Sequence, residues 1–380
     1  MNKYQIYSLL GRILALDTVP AHREDIIQTI QKVRIPWEKM MAMADHHLIL
    51  QALYPKIQDH SLQEHFPEEF LNHLKNIFDL NTSRNLEIIN QSERISKVLV
   101  NERIKPLFMK GVGNILDGVY TYPGERILHD IDILVSKEKF EDAAEILIKD
   151  GYRSNYSYKP RPKSPGKHYP ILYKPGEPIY VELHLMPSSH RYDKYFNTDI
   201  ILKAGRVPPD YLNCLVMSDE HKIIHNFIHA QLDHGARFYG WEFIRNLYDL
   251  LLLSRRQDPE SVFSEFGHFK RTSSGYLDIT YDTFGITPNQ RQTPRLFLHT
   301  YRFRYYLNLR YWLVRMTSKL VAQIIIFSKL LFLGFIVRPV QAINNKAIRI
   351  RLLNHISNPQ WYRKQIWNYM NIFGFQRKKS

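Results

Sequence analysis

LFMKGVGNILDGVYTYPGERILHDIDILV, residues 107–135, decides how the rest of the chain is read. An apolar entry leads into a Lys110-Gly111 turn and a short amphipathic segment. An apolar run then carries Asp130 and Asp132 one residue apart. Successive side chains of a strand point to opposite faces, so this alternation puts both carboxylates on one face. Ile131, Ile133, Leu134 and Val135 make the strand an interior one, where unpaired carboxylates are costly. Two aspartates so placed need a cation or a proton between them, and a paired-metal site is the economical explanation.

Working outward, IKPLFM (104–109) reads as a short strand and Gly111 to Tyr120 as a helix starting at the Lys-Gly turn. Backbone N–H groups at such a start, with a nearby Lys, suit a phosphate. Arg126, in the PGER turn, either reaches a triphosphate or is an ordinary solvated turn residue. Phe140, Ala143, Ala144 and Leu147 recur at helical spacing, and Gly151 is placed to end that helix. YRSNYSY (152–158), HYPILYK (168–174) and PIYVELHL (178–185) are candidate strands. Glu182, in the last of them, is the best third carboxylate for holding two Mg2+ ions. His184 faces the same way, and the two could instead form a structural hydrogen-bonded pair. The loop KPRPKSPGK (159–167) is Pro- and Lys-rich, hence extended and cationic, and brings Lys163 and Lys167 close to the site.

The flanks read as helical. Before residue 103, Trp37, Met40, Met41 and Ala44 recur at helical spacing, as do Phe70, Leu71, Leu74 and Phe78. After residue 190 a helix starts at Ser218, which supplies a cap ahead of Asp219 and Glu220. Its His221, His225 and His229 fall at i, i+4 and i+8, with Asp233 at i+12, along one side. These histidines line an acceptor or nucleotide cleft, serve structure, or ligate zinc with Asp233 or His234. The fold class expected is α+β, a small mixed sheet flanked by helical regions. The divisions are 1–103 (helical), 104–190 (α/β core), 191–300 (helical) and 301–380 (basic, aromatic, helical).

A chain of 380 residues with 44% hydrophobic and 23% charged side chains has ample core, which excludes a mainly disordered protein. Cys214 is its one cysteine and cannot form an internal disulfide, so a reducing, cytoplasmic setting is expected. The N-terminal stretch lacks the pattern of a signal peptide and reads as a helix. Residues 301–380 hold 15 Lys or Arg and no Asp or Glu, so the formal excess of +15 sits there. That segregation suits RNA or an anionic membrane surface, making a membrane-peripheral location the alternative. The apolar run Leu320–Val337 approaches a bilayer span in length but contains Gln323, Ser328 and Lys329. It reads as a buried helix, an interfacial one or a span.

The combination K-G-x-x-x-I-L from Lys110, Y-x-x-P-G-x-R-x-x-x-D-I-D-I-L-V from Tyr120, a helix ending in Gly151-Tyr152, and V-E-L-H at 181–184 resembles the "uncharacterised nucleotidyltransferase" family. That family belongs to the polymerase-β-like nucleotidyltransferase superfamily. The likeness runs over roughly residues 30–255, with Trp37 to Ala44 and Tyr248-Asp249-Leu250 resembling flanking parts. It implies transfer of a nucleoside monophosphate from an NTP, ATP being the expected donor, to a hydroxyl of a small-molecule, sugar or peptide acceptor. Asp130, Asp132 and Glu182 would be the catalytic and Mg2+- or Mn2+-holding residues, with two ions about 4 Å apart. Lys110, Gly111, Arg126 and His184 would face the nucleotide, and His225, His229, Lys163 and Lys167 the acceptor. The superfamily's usual Gly-Ser is here Lys110-Gly111, with no serine following. The alternatives are a toxin-like relative modifying tRNA or protein, and a non-catalytic nucleotide-binding scaffold, against which the three carboxylates argue.

Overall fold

The computed structural model describes residues 1–154, 167–287 and 295–332, and positions 337, 340 and 343. The architecture is α+β. Five helices come first: α1 (Lys3–Leu14), α2 (His22–Lys32), α3 (Trp37–His46), α4 (Leu50–Asp59) and the long α5 (Glu68–Asn101). Pro67 precedes α5, and Glu68 and Glu69 lie in its first turn, where the helix dipole favours acids.

The α/β part comes next, with β1 (Leu107–Phe108), α6 (Lys110–Leu116), β2 (Asp130–Leu134), α7 (Phe140–Lys149), β3 (Arg153–Ser154), β4 (Leu172–Tyr173), β5 (Tyr180–His184), α8 (Thr198–Lys203) and β6 (Leu215–Val216). The sheet order is β3-β4-β5-β2-β1-β6. Strands β2 and β5 are parallel, as are β1 and β6, and the other pairs are antiparallel. An interior position for β2 explains its sequence: Ile131, Ile133 and Leu134 are fully buried. Gly151, with φ of +98°, closes α7 as its position predicts. Strand β6 lies in a region read as purely helical. Two residues are too few to show a period of two.

The remaining helices are α9 (Asp219–Phe227), α10 (Ala236–Tyr239), α11 (Ile244–Ser254), α12 (Pro259–Phe266), α13 (Lys270–Phe284), α14 (Arg295–Arg310) and α15 (Trp312–Phe332). Residues 1–236 with 242–303 form one compact unit, which contains the whole sheet. Residues 237–241 with 304–380 form a second. Among the described residues no helix is long and apolar enough to cross a membrane. Part of the run 320–337, and Lys163 with most of its loop, lie outside the described residues.

The segment between α6 and β2 is held from outside the sheet. Side-chain amides of α5 donate to its carbonyls: Asn81 Nδ2 to Gly124 O (2.7 Å) and Asn85 Nδ2 to Pro123 O (2.6 Å) and Arg126 O (2.7 Å). Arg84 Nη1 donates to Leu128 O (2.7 Å), and Gln51 of α4 to Glu125 O (2.9 Å). Gln91, further along α5, donates to Ile179 O just before β5 (3.0 Å). The N-terminal helices thus fix the approach to both acidic strands.

Candidate active site

The parallel register sets Asp132 of β2 opposite Glu182 of β5. Alternation then brings Asp130, Asp132, Glu182 and His184 to one face. Asp132 is 1% exposed. Its Oδ1 accepts from Lys110 Nζ at 2.6 Å and from His184 Nε2 at 2.7 Å, and Glu182 Oε2 lies 3.3 Å from the same imidazole nitrogen. Burial opposes ionisation of Asp132, but the Lys110 charge and the His184 hydrogen bond outweigh it and hold the carboxyl far below the usual range. Glu182 is lowered by its hydrogen bond from His184, against the effect of burial. Asp130 goes the other way, pushed up to about 6 by burial and by the neighbouring Asp132.

The opposite wall is built by α9 and the turn that continues it. Ser218 Oγ accepts from His221 N at 3.3 Å and starts the helix as its sequence predicts. After Phe227 the chain widens into a π-helical segment, Ile228–Asp233, and His234 N donates to His229 O, five residues back (3.0 Å). The extra residue in that turn breaks the i+4 ladder read from the sequence. His225 stays buried, with Nε2 donating to Pro187 O (3.0 Å), and burial with the Lys110 and Lys167 charges pushes its pKa down to about 3. His229 and His234 turn toward the cleft, their ring centroids 4.1 Å apart. Asp233 accepts from Lys167 Nζ (3.4 Å) and Ser189 N (3.3 Å). π-helical turns recur at functional sites because they redirect side chains in this way.

Between the walls lies a cleft of about 540 Å³. Asp130, Glu182 and His184 open into it on one side, and Lys110, Lys167, Arg126, Arg191 and Arg245 give it a cationic lining. Arg126 is neither solvated nor free: it is buried, with Nε and Nη2 each 3.1 Å from a different oxygen of Asp249. Tyr120 OH donates to the same carboxylate. Gly111 stands against this guanidinium; a Cβ there would lie 3.8 Å from Arg126 Cζ and 2.5 Å from Leu128 Cδ2.

The donor set suits a divalent cation. Asp132 and Glu182 supply hard oxygens of the kind that Mg2+ and Mn2+ take, and Asp130 lies on the same sheet face. Asp130 is pushed up by burial first and then by the Asp132 charge, both of which a cation at the site would offset. Asp132, Glu182 and His184 offer ligand atoms within 4.8 Å of one another, the one such group of three among the described residues. Zinc ligation by the histidine ladder finds no such group.

The sequence profile of the uncharacterised nucleotidyltransferases matches residues 34–268, more than half the chain and including every strand. The chain belongs to this family. No curated protein matches it. Membership supports nucleotidyl transfer as the general activity and an NTP as substrate, and the site just described lies wholly inside the matched segment.

Several residues that shape the site escaped the sequence reading. Asn81 and Asn85 are polar on the inner face of an amphipathic helix, a signal available in principle. Arg245 and Arg191 gave none, since arginines at helix starts and in loops are ordinarily solvated.

Proposed function

We propose that this protein transfers NMP from an NTP, ATP first, to a hydroxyl of a small-molecule, sugar or peptide acceptor. Mg2+ or Mn2+ would be held by Asp130, Asp132 and Glu182. The observation that carries the reading is the register of β2 and β5, which faces Asp132 with Glu182 beside Asp130 at the mouth of a cationic cleft. A divalent cation bound there supplies charge neutralisation at the α-phosphate and lowers the acceptor hydroxyl's pKa. The chain's own residues do the positioning. Lys110 and the Gly111 backbone line the nucleotide side, His184 ties Asp132 to Glu182 through its Nε2, and Arg126 stiffens the floor through Asp249. Lys167 and His229 face the acceptor, while His225 braces the wall behind them. Positioning and charge neutralisation account for the rate without a covalent intermediate.

The test is incubation of the full chain with each α-labelled NTP, Mg2+ or Mn2+, and separate RNA, protein, lipid and metabolite fractions. Label should pass to one fraction and fall about a hundredfold or more in Asp132→Asn and Asp130→Asn. Transfer surviving both substitutions removes the metal assignment. The acid-free segment 301–380 supports a second reading, in which the acceptor is tRNA or a protein, or the segment holds the enzyme at an anionic membrane surface in the cytoplasm. Label found in RNA selects it.

A further inference from the structure

The cations lining the cleft differ in what they face. Lys110 is paired with Asp132, Arg126 with Asp249 and Lys167 with Asp233. Arg191 is exposed beside the Tyr192 ring. Arg245 is different. It is the second residue of α11, its backbone N–H donates to His47 O (3.3 Å), and its side chain turns inward over the Phe243 ring. Among the described residues no carboxylate lies within ion-pair distance of its guanidinium, and Nε is buried without any hydrogen-bond partner. It lines both the main cleft and the small cavity of about 50 Å³ behind Lys110 and His229. Burial, and then the neighbouring Arg126 charge, push its pKa down to about 10. Arg245 is half-buried, and a cation without a carboxylate partner beside a second arginine is placed to receive an anion supplied from outside.

We infer that Arg245 anchors the polyphosphate end of the incoming NTP, a role that rests on the nucleotidyl-transfer reading. Two features favour a polyphosphate over a single carboxylate. The guanidinium fork matches phosphate oxygens in pairs. Lys110 and Arg126 converge on the same cavities, so the positive charge is spread along the length of a triphosphate rather than gathered at one point. Arg126, already engaged by Asp249, holds the floor and leaves the direct contact to Arg245.

The experiment compares wild type, Arg245→Gln and Arg245→Lys in the full chain, by calorimetric titration with inorganic tripolyphosphate, α,β-methylene-ATP and AMP. Arg245→Gln should weaken tripolyphosphate and the ATP analogue by about 10–100-fold and leave AMP within about twofold. Arg245→Lys should recover part of the loss, since an ammonium keeps the charge without the fork. Ligand-free Arg245→Gln should melt close to wild type, because only the contact with the Phe243 ring is lost and no ion pair. Arg310→Gln, in the basic α14, is the control and should leave the ATP-to-AMP preference unchanged. Unaltered tripolyphosphate binding by Arg245→Gln, an equal loss for AMP, or the same loss in Arg310→Gln overturns the assignment. Tripolyphosphate binding through Arg245 in a protein that transfers no label would sink the transferase reading and leave the anion site standing. Label transfer with binding indifferent to Arg245 does the reverse.

Discussion

Lys110 shows how one side chain serves two states. Its backbone sits in the left-handed region, with φ of +51°, a conformation that costs a non-glycine residue energy and persists only when surroundings impose it. That conformation delivers the ammonium to Asp132. Removing it as Lys110→Met leaves the Asp132 carboxylate facing His184 and its acidic neighbours. Metal-free protein should lose about 3 kcal/mol by urea denaturation. Mn2+ should then raise the variant's Tm more than wild type's, because the ammonium no longer competes for Asp132 and a tighter-bound ligand stabilises more at a given concentration. An equal Mn2+ response in the two proteins would mean that ammonium and metal do not compete for Asp132. Glu242 makes the pH prediction. Its carboxylate is buried, accepting from Gln231, Asn246 and the Phe243 backbone, and burial raises its pKa to about 7 despite these bonds. An acid with a raised folded-state pKa binds its proton more tightly when folded, so its share of stability is intact below about pH 4.5 and is lost as pH rises through about 7. Glu242→Gln should therefore match wild type near pH 4.5 and exceed it at pH 8 by about 1–3 kcal/mol. Denaturation at the two pH values checks the sign. Asp130, Asp132 and Glu182 stood out in the sequence because apolar flanks predict burial and buried carboxylates require partners, and the β2–β5 register brings them to one sheet face. Arg245 did not, because the absence of a partner is a fact about packing between α11 and the cleft, which no local pattern encodes.

At the scale of elements, helices with many turns and the five-residue strands β2 and β5 display their period, and the two-residue β1, β3 and β4 fall inside the stretches 104–109, 152–158 and 168–174 read as strands; β6 alone lies in a stretch read as helical. The π-helical turn at 228–233 was hidden: the spacing of histidines fits a regular helix equally well, and tertiary contacts such as Lys167–Asp233 accompany the wider turn. The join between β1 and α6 is tight. A Cβ at Gly113 would lie 2.4 Å from Phe108 O and 2.8 Å from its carbonyl carbon, both backbone atoms of the strand beside the site. Gly113→Ala, normally helix-stabilising, should cost about 1–3 kcal/mol in chemical denaturation and lower activity with it. Tolerance of alanine there would mean that β1 and α6 can separate without loss.

At the scale of the whole molecule, charge is the organising asymmetry. Without its last 80 residues the chain carries equal numbers of acidic and basic side chains. If that segment meets a polyanion, the full chain should be retained by heparin, with affinity falling about a thousandfold between 50 and 200 mM salt for six or more contacts. Replacing Arg310, Arg315 and Lys319 by Gln should bring elution forward; an unchanged profile would clear this part of the segment of the role. Composition made the asymmetry plain, but composition says nothing about which of RNA or lipid supplies the negative charge.

The asparagines of α5 carry a different consequence. Because Asn81, Asn85 and Arg84 satisfy the carbonyls of residues 123–128, the strands bearing the carboxylates are finished by a helix that precedes them in the chain. The nucleotidyltransferase core is therefore not a portable module. Grafted or expressed from residue 104 onward it would lose these donors, and water in their place would not hold the turn that leads into β2.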